Sequence, residues 1–90
     1  MKRVHLIISG RVQGVGFRYF ICTKARLHNI TGYVRNTGED CVEIVAEGNE
    51  KNIEVFLAYC KNGPSLASVT NIAIEVETPT DKFKDFSIRY

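Results

Sequence analysis

Apolar and polar residues alternate along the start of the chain. Val4, Leu6 and Ile8 fall on one side of Arg3–Ser9, which is the period of a strand over residues 3–9. From Phe17 to His28 the spacing lengthens to that of a helix. Phe20, Ile21, Ala25 and Leu27 recur among Lys24, Arg26 and His28, the cations lie towards the C-terminal end, and Asn29 is the expected stop. Ile30 to Asn36 is rich in β-branched and aromatic residues and predicts a second strand. Thr37-Gly38-Glu39-Asp40 predicts a tight turn, and Cys41 to Glu47 a third strand. Gly48-Asn49 then opens a second helix, with Asn49 as N-cap and Glu50 in the first turn. Ile53, Phe56, Leu57 and Cys60 form its apolar stripe, and Gly63-Pro64 ends it. Ile72, Ile74 and Val76 alternate within a fourth strand, Val69 to Glu77. A polar connection, Thr78 to Lys82, leads to a short last strand carrying Phe86, Ile88 and Tyr90.

The order is β-α-β-β-α-β with a short extra C-terminal strand. Its simplest packing is an α+β sandwich of the ferredoxin-like, split βαβ type: an antiparallel sheet with both helices on one face. One domain over residues 1–90 is expected. The topology also says where polar features meet. The first helix descends about 18 Å over its dozen residues, and the second strand climbs back about 20 Å or slightly more. Asn36 is therefore expected at the same end of the sheet as the residues that precede the first helix.

Composition narrows the classes without choosing among them. A net charge of +2 is too weak to argue for a polyanion partner, so a nucleic-acid role gains nothing from it. No apolar run is long enough for a membrane span, and Met1-Lys2-Arg3 leads into an alternating strand instead of a signal-peptide core, so the expectation is a cytoplasmic protein. Small size and the lack of a large apolar surface stripe favour a monomer. Cys22, Cys41 and Cys60 are widely spaced, with no Cys-x-x-Cys; this argues against a zinc site and favours small buried or half-buried thiols, one intramolecular bridge staying open. Asn29-Ile30-Thr31 matches a glycosylation acceptor, idle in a cytoplasmic protein. His5 is expected to serve a sheet face or edge.

The chemistry concentrates in Gly10-Arg11-Val12-Gln13-Gly14-Val15-Gly16-Phe17-Arg18-Tyr19-Phe20, where a strand passes into a helix. Its glycines let the backbone turn sharply and approach a ligand with no Cβ in the way. At a helix N-terminus, unpaired amides converge and the helix dipole adds partial positive charge, which suits an anion. Arg18 follows with a planar fork of donors matched to phosphate oxygens. The expectation is a phosphate cradle made by Gln13, Gly14, Val15, Gly16, Phe17 and Arg18, able to take inorganic phosphate or sulfate.

Gly10-x-Val12-Gln13-Gly14-Val15-x-Phe17-Arg18 together with Gly32-Tyr33-Val34-Arg35-Asn36 resembles the acylphosphatase family, and the resemblance runs through essentially the whole chain. The second motif departs from the family's pattern at Asp40, where glycine is usual, and Gly38 is the expected left-handed turn residue. The resemblance implies that Arg18 and backbone amides from about Gln13 to Arg18 hold the phosphate of a small-molecule acyl phosphate. It implies that Asn36 orients the attacking water, and that the acyl phosphate is hydrolysed to a carboxylate and inorganic phosphate without metal or cofactor. The sparse residue set fits that chemistry. The leaving group is a carboxylate whose parent acid has a pKa of about 4, so no general acid is needed, and phosphoryl transfer mainly asks for positioning and charge stabilisation. Two alternatives share the fold. Gly14-Val15-Gly16-Phe17-Arg18-Tyr19-Phe20 superficially matches an RNA-recognition signature, but that signature belongs on a third strand. A non-catalytic phosphate- or small-ligand-binding domain would use the same cradle.

Overall fold

The computed structural model describes residues 1–38 and 40–90. Its elements are β1 (Lys2–Arg11), α1 (Phe17–Leu27), β2 (Thr31–Asn36), β3 (Cys41–Gly48), α2 (Glu50–Asn62), β4 (Ser68–Glu77) and β5 (Phe86–Arg89). Every expected element is present, with ends moved by a residue or two. Glu39, part of the expected turn, lies outside the described residues.

Strand alternation decides what the sheet buries. The strands lie in the order β4-β1-β3-β2-β5. Val4, Leu6 and Ile8 on central β1 are fully buried, as are Val42, Ile44 and Ala46 on β3, opposite them in register. Both helices cover this face: α1 packs on β2 and β5, and α2 on β3 and β4. Phe17, Ile21 and Ala25 from α1 and Ile53, Phe56 and Cys60 from α2 complete the core. The other face carries Arg3, His5 and Ser9 of β1.

Local chemistry fixes both helix ends. Asn49 accepts from the Asn52 amide at 2.8 Å and caps α2, and Gly63 donates back to the Tyr59 carbonyl at 2.8 Å. At the end of α1, Asn29 takes a left-handed conformation (φ 56°), and the Ile30 amide reaches back to the Ala25 carbonyl at 2.8 Å.

Three departures from the expected pattern have physical causes. The sheet is antiparallel across its first four strands, but β5 joins β2 in parallel, so the sheet is mixed. The chain leaves β4 at one edge of the sheet and crosses to the other edge before β5 begins, so β5 runs in the direction of β2. Ile74 and Val76 point to the helix side but stay 41% and 69% exposed, because the edge strand β4 extends beyond the reach of the helices. Leu27, counted in the apolar pattern of α1, is exposed on its last turn.

The crossing segment is held by a buried carboxylate. Glu47, 1% exposed at the end of β3, accepts from Arg3 Nη1 at 2.8 Å, from the Thr80 amide and Oγ1 each at 3.1 Å, and from the Asp81 amide at 2.9 Å. Burial alone would raise the carboxyl pKa; Arg3 and the Thr80 and Asp81 donors outweigh it and hold it down to about 2. Because the folded-state pKa lies below the unfolded one, this group contributes stability that is complete above the ordinary glutamate range and lost as pH falls towards 2. Glu47→Gln should therefore lower unfolding free energy by about 2–3 kcal/mol at pH 7. In urea titrations the gap from wild type should close as pH falls from 5 to 2. A gap that stays constant over that range would remove the assigned role of the charge.

Candidate active site

The backbone after β1 turns twice through left-handed geometry, at Gly14 (φ 73°) and Gly16 (φ 75°). A side chain at either position would meet no neighbouring atom, so glycine is required by the backbone angle and not by crowding. Gly16 is the N-cap residue of α1 and supplies no side chain; the first turn of α1 holds no acidic residue. The first amide of the helix to bond backwards is that of Phe20, to the Gly16 carbonyl at 3.0 Å. Among the described residues, none of the amides from Gln13 to Arg18 donates to a backbone carbonyl. The contrast with α2 is direct, since Asn49 and Glu50 satisfy that helix at its own start.

A cleft of about 270 Å³ opens at this N-terminus. Gly14, Gly16, Phe17 and Arg18 line it from one side and Asn36, the last residue of β2, from another. The convergence expected from topology is thus present: two polar side chains eighteen positions apart share one concave site. Arg18 makes no ion pair among the described residues, and its guanidinium lies over the Tyr90 ring, 4.9 Å from the centroid. The Oδ1 atom of Asn36 is buried and accepts no hydrogen bond among the described residues. Such an atom is costly to leave unpaired, and the residue that carries it lines the cleft.

Gln13 and Val15 do not line the cleft. The Gln13 carboxamide nitrogen donates to the Thr37 carbonyl at 2.7 Å and to the Cys41 carbonyl at 3.0 Å, tying the glycine loop to the β2–β3 connection. Val15 packs against the core. Gln13 therefore acts by its side chain as a brace between the two halves of the site. The left-handed residue in the β2–β3 connection is Asp40 (φ 55°), not Gly38, whose φ is not positive; the short aspartate side chain tolerates that conformation better than most.

Two neighbours of the cleft carried no local signal in the sequence. Ile88 and Tyr90 reach it only because β5 docks beside β2, a pairing no short motif specifies. Cys22 and Cys60 are buried thiols, and burial pushes the Cys60 thiol well up. Cys41 Sγ lies 3.3 Å from Ser9 Oγ on the helix-free face. His5 is on that face too, its Nε2 2.8 Å from Glu43 Oε2. His5, Glu75 and Glu77 bring potential metal-ligand atoms within 4.8 Å of one another there, but Arg3 already holds Glu77, and none of the three lines the cleft.

The profile of the acylphosphatase family matches residues 4–88. An acylphosphatase from Bacillus licheniformis is 42% identical over 90 residues, covering 100% of each chain. One from Methylococcus capsulatus is 42% identical over 88 residues, 98% of this chain and 96% of the relative. The crystal structure of the Bacillus subtilis acylphosphatase superimposes with a TM-score of 0.96 at 39% identity, covering both chains completely. With fold, length and sequence agreeing from end to end, the chain belongs to the acylphosphatase family.

Proposed function

We propose that this protein hydrolyses acyl phosphates by direct attack of water on phosphorus, within one domain and without a metal or cofactor. The observation that carries the reading is the pairing, in one cleft, of an uncapped helix start beside Arg18 with Asn36, whose Oδ1 has no hydrogen-bond partner among the described residues. The amides of residues 13–18 and the Arg18 guanidinium receive the phosphoryl oxygens, supplying the charge stabilisation that a loose phosphoryl-transfer transition state needs. Asn36 Oδ1 accepts a hydrogen bond from a water and points its oxygen at phosphorus. The carboxamide cannot take up a proton, so it positions and does not act as a base. The water oxygen bonds to phosphorus, the bond from phosphorus to the bridging oxygen breaks, and that electron pair leaves with the carboxylate. Both protons of the water stay on the released phosphate.

The helix-free sheet face does not favour an RNA-binding reading. Arg3 is engaged by Glu47 and Glu77, and Arg35 by Glu43. Cations committed to carboxylates of the same sheet are poorly placed to meet phosphates. The reaction needs neither a macromolecular partner nor a membrane, and a monomer working in the cytoplasm suffices for it.

Four outcomes follow. Hydrolysis of acetyl phosphate should be unchanged by excess chelator; a loss restored by magnesium or zinc would require a metal in the mechanism. Inorganic phosphate should shift the amide resonances of Gln13–Arg18 and raise Tm by several degrees at tenfold Kd. Shifts centred on Lys24 and Arg26 would place the anion elsewhere. Arg18→Lys should weaken phosphate inhibition and turnover together, since a point charge replaces a two-pronged fork. Asn36→Ala should lower turnover by ~100-fold or more while phosphate inhibition changes little. Near-normal turnover in folded Asn36→Ala protein would remove the water-positioning assignment.

A further inference from the structure

Asn36 can orient a water only if it stands at a fixed distance from the cradle, and the two belong to separate stretches of chain. The glycine loop is anchored at both ends, because Val12 before its glycines and Phe17 after them are buried in the core. The β2–β3 connection has no such anchor: between Asn36 and Val42 none of the described residues is buried. A short exposed turn is free to shift unless something outside it holds it. The Gln13 carboxamide nitrogen donates to the carbonyl of Thr37, the residue directly after Asn36, at 2.7 Å, and to that of Cys41, where β3 begins, at 3.0 Å. The Thr37 amide and Oγ1 close the turn on the same Cys41 carbonyl, at 3.0 and 3.3 Å. One nitrogen thus bridges both legs of the turn, which takes two N–H groups on a single atom. A carboxylate in its place would face two carbonyl oxygens, and a thioether has no proton to give. Two longer contacts from β1, the Gly10 amide to the Asp40 carbonyl at 3.4 Å and Ser9 Oγ to Cys41 Sγ at 3.3 Å, reach the far leg of the turn and not Thr37.

We infer that Gln13 is a positioning residue: through Thr37 it sets where Asn36 stands relative to the cradle, and so where the attacking water stands relative to phosphorus. This rests on the reading of Asn36 as the group that orients the water. Two consequences separate the role from general support of the fold. Val12 and Phe17 keep the loop in place when the brace is lost, so phosphate still finds its amides and Arg18. The loss then falls on kcat and not on KM or phosphate inhibition. A residue that acts through Asn36 also has nothing left to position once the Asn36 carboxamide is gone.

The test measures acetyl phosphate hydrolysis, and its inhibition by inorganic phosphate, in two variants. Gln13→Met keeps the length of the side chain and loses both donors, and Gln13→Asn keeps the carboxamide but draws it back by one methylene. Each should retain a cooperative thermal transition and lower kcat by roughly tenfold or more, with KM and phosphate inhibition within about twofold of wild type. Introduced into Asn36→Ala protein, Gln13→Met should change kcat by less than about twofold. A kcat unaffected by either substitution would overturn the inference. So would phosphate inhibition weakened as much as turnover, which would make the brace a support of the cradle. An equal fall in kcat with and without the Asn36 carboxamide, or unfolding of both variants, would overturn it by making Gln13 a support of the fold. Folded wild-type protein that hydrolyses no acetyl phosphate, or Asn36→Ala protein with near-normal turnover, would instead overturn the reading beneath it.

Discussion

A helix that begins without a cap leaves amide hydrogens with no acceptor, and α1 begins that way. The rest of the site follows from this constraint. Gly14 and Gly16 carry the backbone through left-handed geometry just ahead of the helix, and the Gln13 side chain pins the loop to the β2–β3 connection. The first turn contributes Arg18 where a capping helix would place an acid. In α2 the same structural problem is solved internally by Asn49. One fold thus contains a helix start satisfied by its own side chain and another whose first amides have no backbone acceptor among the described residues.

The sheet makes that open end useful by bringing distant residues to it. β1 delivers the loop, β2 climbs back to place Asn36 beside it, and β5 runs parallel to β2 and ends with Tyr90 over Arg18. The last of these depends on an anchor at the opposite end of the molecule. The crossing from β4 to β5 is fastened to Glu47, so a buried carboxylate far from the cleft helps to fix the path of the strand that completes it. Burial of the Val4, Leu6 and Ile8 row under both helices holds the frame between these two ends.

The part of this structure legible in the sequence was the part encoded locally. Alternation gave β1, helical spacing gave α1 and α2, and Asn49 and Gly63 marked helix ends that the structure places within a residue. The meeting of Arg18 and Asn36 was legible too, because strand and helix rises fix the end of the sheet to which each returns. What stayed hidden depends on contacts between distant residues. No short pattern tells β5 which edge to join or in which direction. The exposure of Ile74 and Val76 depends on where α2 stops covering the sheet, and two of the residues that hold Glu47, Thr80 and Asp81, come from a loop more than thirty residues away. Asp40 held the left-handed position because a tolerance of the aspartate backbone, not a glycine, met the demand of the turn.

The central claim is that water attacks phosphorus, held where Asn36 and the cradle put it, and that the acyl carbon is a spectator. Hydrolysis of benzoyl phosphate in ¹⁸O-labelled water, followed by mass analysis of both products after a single enzymatic turnover, tests it most directly. The account predicts one ¹⁸O atom in the released phosphate and none in the benzoate. Label in the benzoate would mean attack at the acyl carbon and would contradict the assignment of the site.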